Sequence, residues 1–401
     1  MGTTPRAVWP FRRAAGSERR LKKGRLRPAR LLVLLAAVAS AASGCMSRLL
    51  SIAEEEPAQY LTYPGAPTVH DGRVRFRQIV CTLAQERAAG RTSDLDCAKL
   101  LWRLDDEPPS QPPWPALPPH DPRLRILIVP GAFTECFLEF GMPFEDADAD
   151  LKRRGYRIDF IPVSGRSGTD HNAGQIAAAV EQLPIEPDER ILLIGHSKGA
   201  VDILHFLANY PQPASRISAV VSVSGPIMGS PLADALSGTY ARFFSRMPFT
   251  TCAPGDRAVI DSLKRSYQTT WLTSHQLPDH IRYFSLATFA RREDVHPLMQ
   301  FTYDLLADYE PRNDGYVAFS DQVIPGATLL GYANLDHWDI ALPVRERLNF
   351  GGINSRREAR AILFEAMVRT VVESLNPSPK PRPLDNAAGV DKGLGLAWIQ
   401  T

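Results

Sequence analysis

Ile191-Leu192-Leu193-Ile194-Gly195-His196-Ser197-Lys198-Gly199 reads as a buried strand that runs into a sharp turn with a serine at its apex. The stretch behind it, from Ala200 to Tyr210, has a helical pattern. Strand, turn and helix around Gly-x-Ser-x-Gly make an elbow from which a serine hydroxyl projects. The glycines at 195 and 199 remove the Cβ atoms that would collide in so tight a turn. Ser197 is therefore a candidate nucleophile, and the Lys198 backbone N–H faces the same point. His196 reads as packing, because it points away from the direction of Ser197.

A serine hydroxyl is a weak nucleophile until a base takes its proton. On an elbow of this kind the acid and the base follow in the order Ser, Asp/Glu, His. Downstream lie Asn313-Asp314-Gly315-Tyr316-Val317 and Leu335-Asp336-His337-Trp338-Asp339, separated by a short buried strand, Ala327 to Ala333. His337 is the candidate base and Asp314 the candidate acid that orients it. Asp294, Asp304, Asp308 and Asp321 are rival acids. His275, His280 and His296 precede the acid and would break the order.

An oxyanion formed at Ser197 needs two donors. Lys198 N–H is one. The other is expected after an earlier core strand, where Leu124 to Val129 runs into Pro130-Gly131-Ala132-Phe133. Ala132 N–H is the first choice there and Phe133 N–H the second. Further core strands are expected at Tyr156–Val163, Ile191–Ile194, Ile217–Val223, Ile281–Ala287 and Ala327–Ala333, with helical stretches such as Gln175–Leu183 between most of them. This alternation predicts an α/β fold with a mostly parallel sheet and helices on both faces. Its catalytic loops gather at the carboxyl ends of the strands.

These motifs resemble the lipases and esterases of the α/β-hydrolase superfamily, above all the secreted bacterial triacylglycerol lipases. The elbow at Gly195–Gly199, the Asn313-Asp314-Gly315 loop and His337-x-Asp339 carry the resemblance. So does the run Gly225-Pro226-Ile227-Met228-Gly229-Ser230-Pro231-Leu232-Ala233-Asp234, and the likeness covers about residues 124–345. It implies the α/β-hydrolase fold and a serine hydrolase that cleaves carboxylic esters through an acyl-enzyme on Ser197, with no cofactor. Asp339 is a weak calcium candidate by the same resemblance. Pro130-Gly131 departs from the usual His-Gly, and Lys198 from the usual Met, Gln or Leu. An acyltransferase with the same triad and a non-catalytic envelope binding protein on the same scaffold are the alternatives.

The amino terminus reads as an export address. Residues 1–44 hold ten of the 46 Lys/Arg and one of the 44 Asp/Glu, so the remainder carries a net charge near −7 and offers no basic patch for nucleic acid. Leu31 to Ala42 is a short apolar core, and Ala42-Ser43-Gly44-Cys45 reads as the cleavage box of a lipoprotein signal peptide, with Cys45 lipidated. The expected location is the cell envelope, on the outer membrane where there are two, since Met46 follows the cysteine. In an oxidising compartment the other four cysteines allow three pairings. Cys81–Cys97 and Cys136–Cys252 are the expected ones.

Residues 45–72 read as a tether and 73–122 as an N-terminal extension with a proline-rich connector. In that extension Arg73-Val74-Arg75-Phe76-Arg77 alternates like a strand and Asp94 to Leu104 resembles a helix. Residues 123–375 form the hydrolase domain and 376–401 a disordered tail. A last helix should start at Ser355, where Ser355-x-x-Glu358 makes a capping box. Residues 229–280 interrupt the strand–helix rhythm and are rich in aromatics, including Tyr240, Phe243, Phe244, Phe249 and Trp271. They read as a cap over the site, shielding an ester or lipid substrate. We expect a monomer.

Overall fold

In a computed structural model, the structure describes residues 66–89, 96–104, 107–109, 112–184, 186–236, 252–348 and 353–376. The signal segment, Cys45, the tail beyond residue 376 and the aromatics Tyr240, Phe243, Phe244 and Phe249 lie outside this set. Eight strands form one sheet: β1 His70–Asp71, β2 Leu101–Trp102, β3 Leu124–Val129, β4 Ile158–Phe160, β5 Arg190–His196, β6 Ile217–Val223, β7 Arg282–Thr288 and β8 Thr328–Ala333. Their order is β1-β8-β7-β6-β5-β3-β4, with β2 also on β8. Every pairing is parallel except β2 with β8.

Both faces of the sheet are covered, so its strands bury alternate residues in opposite directions. On one face, Ile126, Ile128, Ile194 and Val221 pack beneath helices Arg73–Ala88 and Ile353–Leu375. On the other, Leu127, Val129, Leu193 and Val220 meet Ile176 and Val180 of helix Thr169–Gln182 and Ile203 and Phe206 of helix Lys198–Asn209. The expected mostly parallel, helix-flanked sheet is the observed fold. No helix among the described residues is long and apolar enough to cross a membrane.

Four local expectations are corrected. Arg73–Arg77 is the first turn of helix Arg73–Ala88, not a strand. Five residues of alternation are too short a window. Phe76, Ile79, Val80, Leu83 and Ala84 are buried, and their spacing is helical. Asp94–Leu104 is not one helix either: a single turn, Cys97–Leu100, capped by the Asp96 carboxylate, leads into β2. The expected tether reaches too far, because His70–Asp71 pairs with β8 as β1. The last helix starts at Ile353, so Ser355 does not precede it.

Cys81–Cys97 and Cys136–Cys252 are bonded in the structure. The first ties the helix beside β1 to the turn before β2. The second joins the loop after β3 to the middle of the insertion. Part of that insertion is packed against the body. Trp271, on helix Arg265–Ser274, is buried with Ala200, Val201, Leu204, Ile227 and Met228 against the elbow helix.

Candidate active site

Ser197 sits between β5 and helix Lys198–Asn209 with φ 55° and ψ −131°, a conformation that costs a non-glycine residue energy and persists only where the surroundings impose it. They do so here. A Cβ at Gly199 would collide with the carbonyl oxygens of Val129 and Pro130, and one at Gly195 with the backbone of Ala200. The elbow helix thus lies directly on the end of β3. Gly131 completes the close approach, since a Cβ there would stand 2.8 Å from that of Ser197.

Three sequence-distant side chains meet at this point. The Ser197 hydroxyl donates to His337 Nε2 at 2.8 Å, and His337 Nδ1 donates to Asp314 Oδ2 at 2.8 Å. The carboxylate can only accept at Nδ1, which leaves Nε2 as the bare nitrogen facing the hydroxyl. Such an array can move a proton from serine to imidazole while an anion steadies the ring.

The Asp314 carboxylate is fully buried and surrounded by donors. Oδ1 accepts from the N–H groups of Tyr316 and Val317 at 3.0 and 2.8 Å. Oδ2 also accepts from Thr288 Oγ1 at 2.8 Å. Gln322 Oε1 accepts from Thr288 N–H at 2.7 Å and its amide donates to the Thr288 carbonyl at 2.9 Å. Thr288 ends β7, and no motif in the sequence marks it or Gln322. Of the rival acids, Asp304 pairs with Arg292, Asp294 and Asp321 lie near Arg356 and Arg265, and Asp308 is exposed. His275 stacks on Trp271, His280 is exposed, and His296 lies against Trp338.

The oxyanion side carries one correction. Phe133 N–H donates to the Gly165 carbonyl at 3.0 Å, so it is already engaged. Gly165 N–H in turn donates to Glu135 Oε1 at 2.8 Å. This two-way link holds the loop after β3 and leaves Ala132 and Lys198 as the candidate donors. Lys198 opens its helix, where an N–H has no partner one turn back. Its side chain runs into the core instead of the cleft. There Nζ donates to Asp202 Oδ1 at 2.5 Å, and Asn172 donates to Asp202 Oδ2 at 2.7 Å. Burial lowers the Lys198 pKa and raises that of Asp202, each opposed by the partner's charge.

The loop that carries His337 hangs on Asp336. Its carboxylate accepts from the N–H groups of His296, Trp338 and Asp339 at 2.7, 3.0 and 2.7 Å. Asp339, the calcium candidate, is buried and accepts from Arg345 Nε at 2.6 Å, with Arg356 at 3.6 Å. Burial lifts its carboxyl to about 6 even so. Both guanidinium groups face Oδ2, so this oxygen is already paired with cations of the chain itself. Among the described residues, the one grouping with metal-ligand chemistry is Glu135, Cys136 and Cys252, and there the two sulfurs are bonded to each other.

A family model described as lecithin:cholesterol acyltransferase matches residues 168–241, a stretch that includes the elbow. Among solved structures, the metagenomic carboxyl esterase MGS0156 is 38% identical, with a TM-score of 0.70 over 84% of this chain and 99% of its own. The mature lipase BlEst2 of Bacillus licheniformis is 21% identical over 58% of this chain and 89% of its own, with a TM-score of 0.44. Lipase 1 of Pelosinus fermentans is 13% identical over 65% and 100%, with a TM-score of 0.47. No curated protein matches.

Proposed function

The chain belongs to the esterase and lipase family of the α/β-hydrolase fold and is a carboxylic ester hydrolase, and from that premise we propose that it works through an acyl-enzyme on Ser197. His337 Nε2 takes the hydroxyl proton as Ser197 Oγ attacks the ester carbonyl carbon. The carbonyl oxygen becomes an oxyanion, which the N–H groups of Lys198 and Ala132 stabilise. Its collapse breaks the bond to the alcohol, and His337 returns the proton to that leaving oxygen. Water then attacks the acyl-enzyme, with His337 again taking a proton, and the acid leaves as Ser197 recovers its hydrogen. Asp314 holds the ring in the tautomer these transfers need. The observation that carries the reading is the continuous line of two 2.8 Å hydrogen bonds from Ser197 to Asp314.

Fluorophosphonate labelling with peptide mapping tests it. Ser197 should be labelled, and Ser197→Ala should lose both labelling and hydrolysis. The match to an acyltransferase family over residues 168–241 supports a second reading, in which an alcohol replaces water at the acyl-enzyme. Product analysis with an alcohol present distinguishes the two: new ester in excess of free acid favours transfer. The lipobox at Ala42-Ser43-Gly44-Cys45 supports a lipid anchor on Cys45 and attachment to the cell envelope. Incorporation of labelled fatty acid by wild type, and not by Cys45→Ser, is the expected result.

A further inference from the structure

We propose that His196 is a positioning residue: its ring holds the main-chain carbonyl of His337 and so ties the base to the elbow that carries Ser197. This rests on the roles given above to Ser197, His337 and Asp314. His196 Nε2 lies 2.9 Å from the His337 carbonyl oxygen. A carbonyl only accepts, so Nε2 carries the hydrogen and donates. His337 N–H donates to the Asp314 carbonyl at 2.9 Å. Residue 337 is therefore held at four points. Its N–H and Nδ1 go to the acid, and its carbonyl and Nε2 go to two adjacent residues of the elbow, 196 and 197.

A residue that merely filled space would be apolar here. His196 is buried, and among the described residues its Nδ1 has no hydrogen-bond partner. A buried acceptor left unpaired is a standing cost, and the bond on the other nitrogen gives the reason for bearing it. Burial, together with the nearby His337, pushes the His196 pKa down to about 3. The ring centroids are 5.1 Å apart. A neutral ring at that distance does not oppose the positive charge that His337 acquires in each transfer, as a cation would. His196 thus orients the base without competing with it.

The test compares two variants of similar length. The side-chain amide of His196→Gln can still donate, and the thioether of His196→Met cannot. The Met variant should lose up to about 10²-fold in kcat, the scale of a small misplacement of a reacting group. Its KM for a short chromogenic ester should change little, and fluorophosphonate labelling of Ser197 should slow in step. The Gln variant should recover most of the loss. Equal kcat in the two variants, or a Met variant like wild type, overturns the proposal. Should His196→Met not fold, nitrogen NMR of the wild-type histidines at pH 7, with the His196 signal identified by its loss in His196→Gln, reads the tautomer. A hydrogen on Nε2 of His196 is expected, and a bare Nε2 overturns the proposal. Ser197→Ala serves as the control: if it keeps its activity, the serine assignment fails, whereas an inactive Ser197→Ala beside a fully active His196→Met refutes only the role of His196.

Discussion

The centre of the sheet and its β8 edge are built in opposite ways. At the centre, β5 runs between β3 and β6 and delivers Ser197 through a turn whose steric demands are met by glycines within five residues. At the edge, β8 is covered by short segments that follow one another in the chain: two-residue β1, helix Arg73–Ala88, and two-residue β2 running antiparallel. A disulfide and a buried ion pair secure that layer. Arg77 Nη2 donates to Glu107 Oε2 at 2.8 Å, and Arg77 also reaches the carbonyls of Leu101 and Trp102. An uncovered edge would be a template for unwanted strand pairing. The centre thus owes its form to local sterics and should answer to substitution in rate. The edge owes its form to long-range contacts and should answer in stability.

The largest expected effect is at the centre. Asp314→Asn supplies the wrong partner to His337 and should lower kcat by up to about 10⁴-fold with the melting temperature nearly unchanged. Steady-state kinetics beside a thermal melt checks both halves. Near-normal activity would break the contrast at its strongest point.

Arg77→Met is the counterpart at the edge. It strands Glu107 in a buried site and should cost about 3–5 kcal/mol of stability, while kcat/KM of the folded fraction holds. Urea unfolding followed beside ester hydrolysis reads this. A fall in kcat/KM at low urea would mean that the edge reaches the chemistry.

Lys198→Met joins the two regimes. The same stranding, now of Asp202, should cost a similar amount, and the double variant with Asp202→Leu should recover most of it. Because the Lys198 amide faces Ser197, a lower kcat that persists in the double variant would assign the pair a share in shaping the oxyanion site. Full recovery of kcat would make it purely structural.

Cys97→Ser opens a loop of 16 residues and should cost about 3 kcal/mol on chain entropy, with kcat unaffected.

The smallest effect on rate concerns Asp321, whose carboxyl burial raises from 3.8 to about 7 despite the nearby Arg265. Below pH 3.8 it is protonated in both folded and unfolded chains. Between 3.8 and about 7 the unfolded chain releases the proton and the folded one keeps it, so stability falls as pH rises and the loss is complete above 7. Asp321→Asn has no such slope. Its stability, followed by thermal melts, should gain steadily on that of wild type across that window, by up to about 4 kcal/mol for a shift of this size. A constant difference from pH 4 to 8 would contradict it. Asp321 lies beside the acid loop, so unchanged kcat would show that nearness to the centre is not enough to affect rate.

How far each region could be read in the sequence follows from the same contrast. The elbow, the order of Ser197, Asp314 and His337, and the alternation that makes the sheet are written in short windows, because sterics and periodicity act within a few residues. Cys81–Cys97 was within reach because the two residues are close in the chain. Arg73–Arg77 misled because the period that decides between helix and strand needs a longer stretch than five residues. Phe133 stands second to Ala132 in the sequence, and what removes it is Gly165, from the loop after β4, which engages its N–H. Asp339 is a weak calcium candidate by resemblance alone, and the sequence gives no sign of the Arg345 and Arg356 guanidinium groups that face its Oδ2.

By itself, then, the sequence determined the parallel sheet, the elbow and the chemistry available at its apex, since these depend on which residues are neighbours in the chain. Only the tertiary structure decided what each polar group bonds. The contacts of Thr288 and Gln322 beneath Asp314, of Asp202 with Lys198, and of His196 with the His337 carbonyl are announced by no motif. A buried donor or acceptor is satisfied by whatever the fold brings within about 3 Å, and that partner can come from any distance along the chain.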